Sequence, residues 1–353
     1  MIFNQVKRKL IKERFRFFFY EISLSFLLIF FISSLEWMIL PIELNPEVFG
    51  MIFYMIRGLI VFLAIPTTIV MMKKLRGPLQ SDLSEGSKVS PFKSHFMMYQ
   101  FSKSNYKYQI LYGILLLFLV FIPMNFFLYL LIPEMLLYHS FSLGLDLQNS
   151  YLLINNFIIF FVLLVIIQVS IAITEETIYR GFVNKRGSEY FNRISAVLIS
   201  AYFYGFLSLL YYLDPISINF DSWFVGIWFF ALFFIGLILS LTTLRKKWLF
   251  PSIFAHSISN IIMVSIIWYF LNGGIYLEIL IFIYLPLLGG SLILIIWQYR
   301  RIRESILIGI NMLKNYLKND EKEDERNNDK YFRIFFDIVI GFLIFLIGLL
   351  ITV

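Results

Sequence analysis

The chain contains no cysteine. Disulfides, thiol nucleophiles and cysteine-ligated metals are thereby excluded, while the redox compartment stays open. Charge is scarce too: Asp, Glu, Lys and Arg make up 15% of the 353 residues, against about 25% in soluble globular proteins. Histidine occurs three times, and no H-E-x-x-H places two of them on one helix face as in zinc proteases. No internal repeat of fixed period is visible, so a duplicated transporter is not indicated. No small-residue cleavage site follows the first apolar run, which therefore reads as a retained span rather than a cleaved leader.

What fills the chain is apolar: 59% of residues are hydrophobic and 19% aromatic, with a mean hydropathy of +0.80. This composition predicts an all-α polytopic protein of the cell membrane, because a lipid-exposed backbone must satisfy its own hydrogen bonds. Runs long enough to cross a core of about 30 Å lie near 17–40, 49–72, 109–132, 152–174, 194–213, 222–243, 249–271, 276–297 and 332–353. The loops alternate in charge. Segments 73–108, 175–193, 244–248 and 298–333 carry seven, four, three and nine basic residues, and the N-terminal "KRKLIKERFR" carries six. Loops 41–48, 133–150, 214–221 and 272–275 carry none. The positive-inside rule then places the N-terminus in the cytoplasm and, after nine crossings, the C-terminus outside. The net charge of +7 belongs to those loops and does not imply a nucleic-acid partner. Richness in Phe, Ile, Asn and Lys suggests AT-rich codon usage and a bacterial source.

Ionisable groups inside spans are candidates for function. Glu21, near the end of the first span, is expected to reach the headgroups. Arg57 lies about 12 Å below the outer surface and is expected to pair with Glu36. After the apolar helix, segment 300–330 starts as an amphipathic helix on the cytoplasmic leaflet and passes into a charged, solvated hinge, "NDEKEDERNNDK". The stretch "TEETIYRG" at 174–181 follows about twenty uncharged residues. Glu176 and Arg180 are four apart, so they share a helix face and can pair. Glu175 is rotated by about 100° and is free to face a cavity between helices. Alone, the stretch is equally a helix end with wet charges. In "FPSIFAHSISN" at 250–260, however, His256 is the only histidine in an expected span, His95 and His139 being in expected loops. Asn260, four residues on, faces the same way.

These residues resemble the CPBP family of intramembrane proteases, which includes CAAX prenyl endopeptidases and bacteriocin-processing or immunity proteins. Glu175, Glu176 and Arg180 match its E-E-x-x-x-R element, and His256 with Asn260 matches its last element. In the middle element Tyr204 stands where Phe is expected and Ser208 where His is expected. The resemblance covers about residues 150–270. It implies a core at 151–271, flanked by N-terminal helices at 1–150 and C-terminal helices at 272–353. It further implies that Glu175 activates water and that Glu176 and Arg180 form a clamp. His256 and Asn260 would orient that water or stabilise the tetrahedral intermediate, with Tyr204 and Ser208 lining the site. No cofactor and no catalytic metal is expected, since one intramembrane histidine with Glu175 provides too few ligands. The implied activity is endopeptidase cleavage, from the cytoplasmic side, of a membrane-associated peptide or a prenylated or otherwise lipidated protein. The alternative is a catalytically impaired relative acting as an immunity, regulatory or scaffold protein, because a serine at 208 cannot carry a proton. A transporter is the third reading, and it lacks a continuous polar face across the bilayer. By residue count Ser208 lies about 20 Å and His256 about 10 Å from the cytoplasmic face, so the elements meet only if the fifth helix tilts or starts lower.

Overall fold

A computed structural model describes residues 2–34, 45–76, 91–99, 103–145, 147–318, 325 and 327–352. Among these residues there is no strand, and nine helices are long and apolar enough to cross a membrane. They are Gln5–Ser34, Val48–Met72, Tyr106–Tyr129, Phe157–Tyr190, Arg193–Leu213, Phe224–Lys246, Phe250–Leu271, Tyr276–Trp297 and Asn327–Ile351, the first to ninth spans below.

Where residue types change, the boundaries follow. Asn156 starts the fourth span by accepting hydrogen bonds from the backbone N–H groups of Ile158 and Ile159, the usual service of an N-cap asparagine. Asn192 does the same for the fifth span at Ile194. Lys247 ends the sixth span in the left-handed conformation, at φ 57°. Pro251 stands in the first turn of the seventh, where its missing N–H costs nothing.

The fourth span departs most from expectation. Apolarity alone predicts an end near 174, yet the helix runs on to Tyr190. It is α-helical over Phe157–Glu176, π-helical over Thr177–Asn184 and α-helical again over Lys185–Tyr190. Charge does not stop it, because Glu176 and Arg180 neutralise each other within the helix. At 34 residues it measures about 51 Å, so it tilts or protrudes from a core of about 30 Å. The glutamates thus sit within the span, about 21 Å from its last residue.

The fifth span is the most enclosed of the nine and packs chiefly against the sixth and ninth. Phe203 from the fifth, Phe26 from the first and Ile340 and Ile344 from the ninth are buried together in the main core. Gly341 lets the ninth span approach closely: a Cβ there would stand 2.7 Å from Tyr202 Cβ and 3.3 Å from the carbonyl oxygen of Ile199. Small residues at such crossings are how helices pack in lipid, where no hydrophobic force joins them. The ninth span is also tied to the first by polar contacts. Buried Arg14 donates from Nε to Asp337 Oδ1 at 2.7 Å, and Tyr316 donates to Asp337 Oδ2 at 2.7 Å.

Several polar side chains sit elsewhere than expected. Glu21 does not reach the headgroups: it is 1% exposed and accepts from Arg186 and from the Tyr190 hydroxyl. His95 and His139 lie in helices, Pro91–Phe96 and Pro133–Leu145, rather than in loops. His95 is buried and His139 half-buried, each against aromatic rings, and desolvation lowers the pKa of each to about 4. Within the charged run after the amphipathic helix, Glu325 is not solvated; it is buried and accepts from Arg333. Residues 319–324 and 326 of that run, and Glu36, lie outside the described residues. Arg57 stands over the Phe53 ring, 5.6 Å from its centroid, and interacts electrostatically with Glu175.

Candidate active site

Three helices bring the candidate residues together. The fourth supplies Glu175, Glu176 and Arg180, the fifth Tyr204, and the seventh His256. The third adds Phe121, whose ring stacks on that of His256 with centroids 5.5 Å apart.

Glu176 and Arg180 are both 0% exposed and paired at 3.0 Å between Oε1 and Nη1. The same Oε1 accepts from His256 Nδ1 at 2.9 Å, across 80 residues of sequence. A carboxylate held by a guanidinium acts as an acceptor, so the Nδ1 proton resides on the imidazole. That leaves His256 Nε2 with its lone pair facing Glu175 Oε2, 3.7 Å away. This is beyond a direct hydrogen bond. The two glutamates thus address opposite nitrogens of one ring. Their exposure differs as well: the Glu175 side chain is 32% exposed, whereas Glu176 is fully enclosed.

The Arg180 guanidinium lies 4.5 Å from the Tyr204 ring centroid and 5.3 Å from that of Tyr179. Such stacking holds a planar cation where few anions are at hand. Tyr204 also meets the His256 ring edge-on at 6.4 Å. Tyr204 thus brings the fifth span to this cluster. Ser208 is fully buried, and its hydroxyl has no hydrogen-bond partner among the described residues. Asn260 is half-buried one turn beyond His256 on the seventh span and takes part in none of these bonds. His256, in the second turn of its own helix, meets the fourth span at Glu176, 14 residues before that span ends at Tyr190.

The π-helical turn that follows the glutamates is braced from outside. Ser200 donates to the Tyr179 carbonyl at 2.8 Å, Ser240 donates to Ser200 at 3.2 Å, and Asn184 donates to the Ser240 carbonyl at 2.9 Å. Wide turns of this kind are frequent at functional sites. Phe121 likewise ends a π-helical segment, Leu117–Phe121. Sequence reasoning missed Phe121, Tyr179, Ser200 and Asn184. Phe121 is one of 41 phenylalanines, and nothing local marks it. Among the described residues no three His, Asp or Glu side chains are placed to share one metal ion.

Residues 155–262 match the family model described as type II CAAX prenyl endopeptidase Rce1-like. The matched stretch contains every residue of the cluster from the fourth, fifth and seventh spans. No curated protein and no solved structure matches the chain.

Proposed function

Since residues 155–262 match the family model of Rce1-like CAAX prenyl endopeptidases, we propose that the protein is an intramembrane endopeptidase using Glu175 as its general base. The observation that carries this reading is the histidine bridged between two unlike glutamates. One is buried and bound to Nδ1 at 2.9 Å, the other open and 3.7 Å from Nε2. A water bonded to Glu175 Oε2 and His256 Nε2 at about 2.8 Å each forms an unstrained triangle on that 3.7 Å base.

Glu175 takes a proton from this water as its oxygen attacks the scissile carbonyl, the π electrons moving onto the carbonyl oxygen. The resulting oxyanion is stabilised by the Asn260 amide, one turn beyond His256 on the seventh span. Glu175 then returns the proton to the departing nitrogen as the C–N bond breaks. Arg180 and Glu176 touch no reacting atom in this scheme. They are positioning residues, fixing the tautomer and tilt of His256. The substrate is a membrane-associated peptide or a prenylated or otherwise lipidated protein, cleaved from the cytoplasmic side.

A second reading rests on Ser208. A buried serine without a partner supplies no base, so the chain would then be a catalytically impaired relative that binds a membrane partner. Hydrolysis of a prenylated peptide by the full chain in lipid nanodiscs separates the two. On the protease reading, Glu175→Gln and His256→Ala each lower kcat by about 100-fold or more, as expected for loss of general base catalysis. Wild-type turnover no greater than that of Glu175→Gln would end the hydrolytic reading.

A further inference from the structure

A second concavity, lined by none of the candidate active-site residues, opens where the third span begins, the sixth ends and helix Tyr299–Tyr316 sets off. Its volume is about 250 Å³. Arg245, Lys246 and Arg301 converge on it with Tyr112 and Trp248, and Glu304 is its one acid. Among the described residues no ion pair joins any of these three cations to a carboxylate. They are held by rings and a hydroxyl instead. Lys246 Nζ stands 4.6 Å from the Tyr112 centroid and 5.8 Å from that of Trp248. The Arg301 guanidinium lies 5.7 Å from the Tyr108 ring, and Arg245 donates to Ser305 Oγ at 3.2 Å.

Three cations facing a single carboxylate in one crevice leave net positive charge to receive an anion. The position of the crevice says which kind. Helix ends bearing Trp and Tyr mark the headgroup level of a bilayer. The helix that forms one wall presents Ile308, on the same i, i+3, i+4, i+7 stripe as Arg301, Glu304 and Ser305, at 38% exposure. That side chain needs hydrocarbon cover beside the cationic mouth. A phosphodiester attached to acyl chains satisfies both demands; a free phosphate satisfies only the first. Basic pockets between helix ends are where anionic headgroups lodge in membrane proteins generally.

We propose that this pocket binds the phosphate-bearing headgroup of an anionic phospholipid. The lipid's acyl chains run past Ile308 on the pocket side of helix Tyr299–Tyr316, and its phosphate oxygens accept from Arg245, Lys246 and Arg301. The test is native mass spectrometry of the full chain in detergent, offered phosphatidylglycerol, phosphatidylcholine or inorganic phosphate. The chain is expected to retain phosphatidylglycerol over phosphatidylcholine by about tenfold. The Arg245→Gln/Lys246→Gln/Arg301→Gln variant loses that preference, whereas Arg300→Gln/Arg303→Gln, which removes charge from the same helix outside the pocket, keeps it. If the triple variant melts lower than the wild type, Lys246→Gln alone gives a smaller loss of preference. Equal weakening by the two multiple variants would reduce the effect to diffuse charge and overturn the site. Binding of inorganic phosphate without preference for phosphatidylglycerol would overturn the lipid.

Discussion

A carboxylate within a bilayer persists only when its charge is answered, because an unpaired ion in a low-dielectric interior is far more costly than a paired one. Glu176 is answered twice, by Arg180 and by the Nδ1 proton of His256. Glu175 is answered less closely, remaining partly open and 3.7 Å from His256 Nε2. That inequality divides the pair into an enclosed carboxyl and a partly open one. Ser208 presents the opposite case, a polar atom that is buried and unanswered. Replacing it by alanine removes the cost of desolvating that hydroxyl and leaves almost the same volume. Ser208→Ala is therefore expected to be neutral or to stabilise by about 1 kcal/mol, with peptide cleavage unchanged. A loss of stability on thermal melting, or of turnover on the protease reading, would mean that the hydroxyl has a partner in the working protein.

At the level of whole helices, the buried Arg14–Asp337 pair and the close approach at Gly341 hold the ninth span. Asp337 and Arg14 are 0% and 2% exposed, and Gly341 admits the fifth span at backbone distance. Breaking the pair from one side strands a buried charge, so Asp337→Ala is expected to destabilise by about 3–5 kcal/mol. Replacing both partners with apolar residues, Arg14→Met with Asp337→Leu, is expected to recover most of that loss, since buried pairs gain little over well-packed hydrophobes. Melting of the two variants in the same detergent measures the difference. A double variant as unstable as the single one would show that Tyr316 and Ser195, which also bond this pair, depend on the charges themselves. The fourth span makes a related point about elements. Its charged residues were expected to end the helix, but internal pairing carried it on for about four further turns.

For the molecule as a whole, orientation follows from where Lys and Arg lie, and the absence of cysteine makes it directly testable. We propose that the N-terminus faces the cytoplasm, as the positive-inside rule requires. Ser104, before the third span, and Ser222, before the sixth, are exposed on opposite faces. Each, changed to cysteine, provides a lone thiol. On intact cells an impermeant maleimide is expected to label Ser222→Cys, and to label Ser104→Cys only after the membrane is opened. The reverse pattern would invert the topology and with it the side from which Glu175 is reached.

How much was legible beforehand depended on the range of the force involved. Hydropathy and charge act along the chain, so nine helical crossings and their alternate basic loops were present in the residue order. The candidate residues Glu175, Glu176, Arg180, His256 and Asn260 could likewise be picked out, since ionisable and amide groups are rare in apolar spans. The pairings could not. Which glutamate meets which nitrogen of His256, that Phe121 stacks on that ring, that Tyr204 reaches the cluster, and that Glu21 and Asp337 are buried with arginines all depend on contacts between distant segments. Helix rotation, length and depth set those contacts, and they result from packing the whole bundle at once. The residue order by itself determined that charged groups lie inside a membrane; only the tertiary structure decided which of them are locked in pairs and which one stays partly open.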